Sequence, residues 1–352
     1  MYDTRAHGCT LQDPVKHTIQ KWSHVMFVDD TYLCHTAPLI DATVDTLKNI
    51  VQHDLGYWYK GLHFSGGKLN LKKTNYFVLH WQFLDNGTPV VADTSDNVKH
   101  VSISQEQDAV RIQEIKPNDG TIEYKSLGVR IPGHLSNTQE FNVMLKKSRR
   151  FAKFLTACPL SRYEAQLAYK QFFIPSVTYG AVALSLSHAE IDKLHSTYIP
   201  RLLPRLGYQS SFPRAVIFAP KTVGGIGPVP LQTVITQRKL TFMTRQLRAD
   251  TALGKVLLTN LRWAQLQAGR QAPPLTSSNN IDYIENKWVI HLHNSLKLMT
   301  GKILIHYLTS NLLHRHNDQY LMDIWDDMYM SIRSLYQLNL CCLYLRVATV
   351  SN

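Results

Sequence analysis

The chain has 352 residues, 44% hydrophobic and 18% charged, which is enough for two or three domains with cores and unlike a disordered protein. Lysine and arginine number 38 against 26 acids, giving a net charge of +12 and a pI near 9.4, which favours a polyanionic partner such as nucleic acid over an acidic small substrate. Cys9, Cys34, Cys158, Cys341 and Cys342 are odd in number and lack a CxxC spacing, which argues against a disulfide framework or a zinc site. No apolar leader follows Met1 and no stretch reaches the roughly 20 apolar residues of a membrane span, so the expected location is intracellular, nuclear or cytoplasmic.

In chain order, the first distinctive run is His24-Val25-Met26-Phe27-Val28-Asp29-Asp30-Thr31, an apolar stretch closed by two carboxylates. Residues 25–28 and 31–35 read as the strands of a tight hairpin with Asp29 and Asp30 at its tip. Pro38 suits the first turn of a helix in which Leu39, Ile40, Val44, Leu47, Ile50, Val51 and Leu55 recur at helical spacing until Gly56. Gly66-Gly67 breaks the chain, Tyr76 to Trp81 reads as a strand, and further strands are predicted at 98–103, 109–115 and 121–131, with a turn at Pro117-Asn118-Asp119-Gly120. After about residue 136 the pattern becomes helical: Asn137 to Glu140, Ser161 to Glu164 and Ser187 to Glu190 each match a capping box. Breaks are expected near Pro175, at Pro200 and Pro204, across Pro213 to Pro230, and at the polar linker Gln271 to Asn280. The predicted fold class is therefore α+β, strands first and helices after, with no internal repeat.

Two adjacent acids at a strand tip supply the hard oxygen ligands that magnesium needs, which suits phosphoryl or nucleotidyl transfer; the same pair also reads as a polar hairpin turn. A second pair, Asp326-Asp327, follows Trp325 and reads as solvated helix surface. An ATPase-type strand would require a phosphate loop, and Gly61 to Lys68 has glycine where the lysine should stand. Gly224 to Gly227 is not read as a nucleotide cradle, because Pro228 and Pro230 follow in place of a helix start. The His291/His293 and His314/His316 pairs have no acid or cysteine at ligand spacing and read as surface histidines. Lys146, Lys147, Arg149, Arg150 and Lys153 open the helical part, with Phe151 and Phe154 assigned to the apolar side. Such a helix can track a phosphate backbone, or be simply a solvated charged face.

Taken in order, these segments resemble the second half of a reverse transcriptase of the LINE-type (non-LTR) retrotransposons. Phe27-Val28-Asp29-Asp30 resembles that family's Asp-Asp box, and Gly67-Lys68-Leu69-Asn70-Leu71-Lys72-Lys73-Thr74 is similar to the palm motif that follows it. Tyr124-Lys125-Ser126-Leu127-Gly128-Val129 resembles the primer-grip turn, and Gly224-Gly225-Ile226-Gly227 a glycine-rich segment beyond the thumb. The resemblance implies a partial palm over 1–135, a helical thumb and connection over 136–270, and a helical C-terminal extension over 271–352. Asp29 and Asp30 would be metal ligands for Mg2+, and Lys73, or Lys72 beside it, would protonate the leaving pyrophosphate; an exposed strand entry is the other reading of these lysines. Leu127 and Gly128 would form the primer grip. Lys146, Lys147, Arg149, Arg150 and Lys153 would hold nucleic acid, with an RNA template and a DNA primer as partners.

The family's palm needs a third carboxylate on an earlier strand, and the 28 residues ahead of Asp29 offer only Asp3 and Asp13. Asp3 resembles the tail of the helix leading into the hairpin, and Asp13 precedes Pro14 in a loop. The expectation is a truncated RNA-directed DNA polymerase, inactive alone, whose partner could be the missing half of the polymerase domain. The alternative is a non-catalytic nucleic-acid-binding protein. Truncation also predicts an apolar hairpin face left open to solvent.

Overall fold

The computed structural model describes residues 8–299 apart from 23, 28–29, 37–42, 72, 86–88, 93–99, 106–107, 115–124, 127, 131–136, 220, 271 and 277–279. The chain is a mixed α+β protein that divides into two compact units. The first comprises 1–12, 17–126 and 130–136; the second comprises 13–16, 127–129 and the chain from Asn137 onward. Among the described residues, no helix is long and apolar enough to cross a membrane.

The first unit begins with β1 (Cys9–Gln12) antiparallel to β2 (Ile19–Trp22), followed by the hairpin of β3 (His24–Phe27) and β4 (Asp30–Leu33). Phe27 stands opposite Asp30 and His24 opposite Leu33, so the second strand opens at Asp30, one residue earlier than the apolar spacing predicts. Val25 of β3 is 54% exposed.

Helix α1 (Val44–Phe64) starts behind Thr43, whose side chain accepts from the Thr46 backbone N–H at 3.1 Å. The predicted start around Pro38 lies outside the described residues. The predicted end at Gly56 is wrong, because the helix runs on to Phe64 and stops at Ser65 and the left-handed Gly66. A mid-helix glycine costs only about 1 kcal/mol. Packing of Val51, Leu55 and Tyr59 against buried Val101, Ile103 and Ile112 outweighs it.

The strand predicted over 76–81 divides in two because its halves take different partners. β5 (Asn75–Tyr76) pairs in parallel with β10 (Gln113–Glu114), and β6 (His80–Phe83) pairs with β7 (Pro89–Ala92). The chain turns inward between them at Val78, which is buried. β8 (Ser102–Gln105) pairs with β9 (Asp108–Arg111), and β11 (Lys125–Ser126) with β12 (Val129–Arg130). The turn predicted at Pro117 to Gly120 lies outside the described residues.

Polar side chains tie α1 to these strands. Lys48 Nζ lies 2.7 Å from Glu114 Oε2, which also accepts from the Tyr76 hydroxyl at 2.9 Å. The Gln52 carboxamide accepts from the Ser102 N–H at 2.7 Å and donates to its C=O at 2.5 Å, completing the edge of β8 as a strand would. Asp54, fully buried, holds His35 Nε2 at 2.7 Å.

The second unit is helical: α2 (Thr138–Ala157), α3 (Arg162–Leu167), a π-helical turn over Ala168–Phe173, α4 (Ile174–Thr178), α5 (His188–Arg205), α6 (Arg214–Phe218), α7 (Leu231–Arg248), α8 (Ala252–Ala268) and α9 (Lys287–Leu298). Phe141, Met144, Leu145, Phe151, Ala152 and Leu155 recur at helical spacing and put one face of α2 into the core. Phe151 stacks on Phe173 at 4.4 Å between ring centroids, and Phe173 lies 4.4 Å from Tyr198. Tyr169 and Phe173, four residues apart in this π segment, both point inward. The segment also widens the backbone ahead of Pro175, whose ring would otherwise press on the carbonyl four residues back. A second cluster joins Met243 of α7, Leu261 and Ala264 of α8, Leu275, Ile281 and Ile284 of the connecting segment, and Leu292 of α9.

Two of the three predicted capping boxes form, at Ser161/Glu164 and Ser187/Glu190. The third does not. Asn137 is already helical in φ and ψ, and its carboxamide is bonded to the Ser185 backbone N–H and C=O. The predicted breaks at Pro200 and Pro204 are also wrong, because both prolines lie inside α5. Each is exposed, so the carbonyl bonds that a proline cannot make are open to water. Buried Leu194, Tyr198, Ile199, Leu202 and Leu203 hold the helix across them.

Candidate functional site

The acid hairpin lies in the first unit and the basic helix in the second. In the first unit, β3 ends at Phe27 and β4 opens opposite it at Asp30. Asp29 and the Asp30 side chain lie outside the described residues, so the structure fixes the strands that would aim the carboxylates and not the carboxylates themselves. Lys73 lies in an exposed turn, with its backbone N–H bonded to Asn70 C=O at 3.0 Å. Lys72 lies outside the described residues.

Asp13 is already committed elsewhere. In the second unit its Oδ1 accepts from the backbone N–H of Val15 at 2.9 Å and of Lys16 at 3.0 Å, and its Oδ2 is bound by Arg262 of α8. Burial alone would raise its pKa, but these backbone bonds and the guanidinium outweigh burial and hold it below the usual carboxylate value. The Asp13 oxygens are thus taken by two backbone N–H groups and the Arg262 guanidinium.

Gly128 occupies the turn between β11 and β12 at φ +89°, a conformation that disfavours side chains, and a Cβ there would sit 3.3 Å from the Tyr179 ring. Leu127 lies outside the described residues. The glycine-rich run at 224–227 folds back on its own chain: a Cβ on Gly225 would lie 1.9 Å from the Ala219 carbonyl oxygen, and Ile226 is buried. Its glycines therefore serve a tight chain reversal.

Helix α2 separates its two sides cleanly. Lys146, Arg149, Arg150 and Lys153 are exposed at spacings of three and four, a single solvent-facing stripe opposite the core. The one acid of α2, Glu140, is buried at the other end of the helix against Gly180, so the stripe carries no negative charge of its own. Lys147 departs from the group: its Nζ donates to Ser176 C=O at 2.7 Å, which fastens α2 to the start of α4. Lys153 and Arg201 of α5 line a shallow groove with Ala152, Thr156 and Ala157. Arg205 closes the end of α2 through bonds to the Leu155 and Thr156 carbonyls at 2.7 and 3.1 Å. Phe154, assigned from sequence to the apolar side, is 42% exposed beside Arg150, because the core holds the ring of Phe151 and the helix turns the next aromatic outward.

Three further buried polar groups escape a sequence reading. His293 is not a surface histidine: it is buried, with Nδ1 2.6 Å from Pro274 C=O. His195 of α5 is buried against Phe218, and burial pushes its pKa down to about 4 against a weaker opposing pull from Asp192. Lys239 of α7 is buried with Nζ 2.6 Å from Leu184 C=O and 5.3 Å from the Trp288 ring; burial lowers its pKa to about 8. Each belongs to the packing of the second unit. Among the described residues, no group of three or more His, Cys, Asp or Glu side chains could hold a metal ion.

No family model, curated protein or solved structure matches the chain.

Proposed function

We propose that this chain is a partial reverse transcriptase of the LINE type that grips nucleic acid along α2 and does not extend a primer by itself. The observation that carries the binding half is the exposed stripe of Lys146, Arg149, Arg150 and Lys153, continued by Arg201 across the adjoining groove. Cations three and four residues apart on a rigid helix can follow successive phosphates, and each contact gains affinity by releasing counterions. Phe154 adds an exposed ring next to the stripe on which an unpaired base can stack.

The catalytic half rests on the resemblance of the Asp29-Asp30 hairpin to the family's metal box. Two adjacent carboxylates fit the donor chemistry of magnesium, which in this reading would hold the reacting phosphates and activate a primer hydroxyl. In the sequence given, the earlier acids are Asp3 and Asp13, and Asp13 is bound by Arg262. Two ligands leave the ions underheld and the reacting groups out of line, and misplacement by ~1 Å costs on the order of 100-fold in rate.

Primer extension on a primed RNA template with magnesium tests both halves. The purified chain is expected to retard the primer–template and to leave the primer at its starting length, as an Asp29→Asn control does. Templated extension by the chain above that control would overturn the inactive assignment, and absence of retardation at low salt would overturn the binding one.

A further inference from the structure

The first unit brings Cys9 and Cys34 together by strand register. Cys9 of β1 stands opposite Trp22 of β2, and Leu33 of β4 stands opposite His24 of β3. The leading end of β1 and the trailing end of β4 therefore both arrive at the joint between β2 and β3. A bond from the Thr36 hydroxyl to Gly8 C=O, at 3.2 Å, holds the two chain ends side by side one step further out. The thiols of Cys9 and Cys34 are hydrogen-bonded to each other, and both residues are half-buried and unbridged. Neither sequence spacing nor any motif flags them, because the pairing depends on two hairpins meeting end to end.

We infer that Cys9 and Cys34 form a thiol pair that a low-molecular-weight disulfide, such as oxidised glutathione, converts reversibly into an intramolecular disulfide, with Cys34 as the attacking group and Cys9 as the resolving one. The assignment of roles follows from the contact. The Cys9 S–H donates to the Cys34 sulfur, which favours the Cys34 thiolate and brings its pKa down to about 7, while Cys9 is held protonated. The Cys34 thiolate attacks one sulfur of the oxidised glutathione; the Cys34–glutathione bond forms, the glutathione S–S bond breaks, and one glutathione thiolate leaves and takes up a proton. Once Cys34 is capped, the thiolate that kept Cys9 protonated is gone. Cys9 then loses its proton, attacks the Cys34 sulfur and releases the second glutathione. Two protein thiols have lost two electrons and two protons, and one oxidised glutathione has become two reduced molecules. The product ties β1 to the end of β4, the strand that opens at Asp30.

The test uses the full chain, reduced and then exposed to oxidised glutathione under native conditions, quenched by alkylation and mapped by mass spectrometry. The expected product is a cross-linked peptide pair containing Cys9 and Cys34, with loss of two free thiols, reversed by a phosphine reductant. In 8 M urea the same cross-link is expected to fall at least tenfold relative to other pairings, because register no longer brings the residues together. Cys9→Ser is expected to stop at a glutathione adduct on Cys34, and Cys34→Ser to leave Cys9 unmodified. Circular dichroism of both variants checks that they fold, and the wild-type cross-link stands as an independent readout if either does not. A stable glutathione adduct on the wild-type chain, a native cross-link to Cys158, Cys341 or Cys342, or reaction at neither residue would overturn the inference.

Discussion

In the first unit, α1 meets its strands through Lys48 on Glu114, Gln52 on Ser102 and Asp54 on His35, around a small apolar cluster of Val101, Ile103 and Ile112. In the second, α2 and α5 close on stacked aromatic and aliphatic side chains. The difference is one of direction. Apolar burial is worth about 1.5–3 kcal/mol per large side chain and tolerates small shifts, whereas a buried polar contact is modest while made and costly when one partner is removed. The first unit should therefore fail by unpairing and the second by cavities.

The largest effect is expected from Phe173→Ala, which empties the space between Phe151 and Tyr198. A loss of about 3–5 kcal/mol is expected in the second unit, read by hydrogen exchange of α2 and α5 amides, with α1 protection unchanged. An equal loss in α1 would show that the units are not energetically separate. Next, Lys48→Met leaves Glu114 with only the Tyr76 hydroxyl and should cost the first unit about 2–3 kcal/mol. The double change Lys48→Met with Glu114→Leu should return to within about 1 kcal/mol of the parent, since no buried charge is left unpaired. If the double variant is as unstable as the single one, the apolar fit at that site matters more than pairing.

A pH titration separates the units further. His195 has a folded pKa of about 4 against an ordinary value of 6.5, so between those pH values the unfolded chain binds a proton that the folded chain refuses. The stability of the second unit should fall by roughly 2–3 kcal/mol as pH drops from 6.5 to 4, and His195→Phe should flatten that fall. A slope that survives the substitution would assign the effect to other groups. The smallest change is Ser187→Ala, which removes the cap of α5 and should cost about 1 kcal/mol, seen as earlier exchange in the first turn of the helix.

Local chemistry made part of this structure legible in advance. The boxes at Ser161 and Ser187 need only residues three apart, the hairpin at 24–33 needs only an apolar run and a turn, and the stripe of α2 needs only helical spacing. What was missed is non-local. Asn137 matches a cap by sequence, but its carboxamide finds a better partner in the backbone of Ser185. Pro200 and Pro204 signal a break locally, and the core behind α5 overrides them. The same holds for the site. The basic stripe was visible, but the withdrawal of Lys147 to Ser176, the outward turn of Phe154, the commitment of Asp13 to Arg262 and the meeting of Cys9 with Cys34 depend on contacts made only in the fold.

The most direct test of the proposed role of α2 is the salt dependence of RNA–DNA duplex binding by the parent chain and by the variant with Lys146, Arg149, Arg150 and Lys153 changed to alanine. If all four contact phosphates, the plot of log affinity against log salt should be shallower in the variant by about 3–4 units, with the weakening uniform across duplex sequences. Equal slopes for the two proteins, or no duplex binding by the parent chain at low salt, would contradict it.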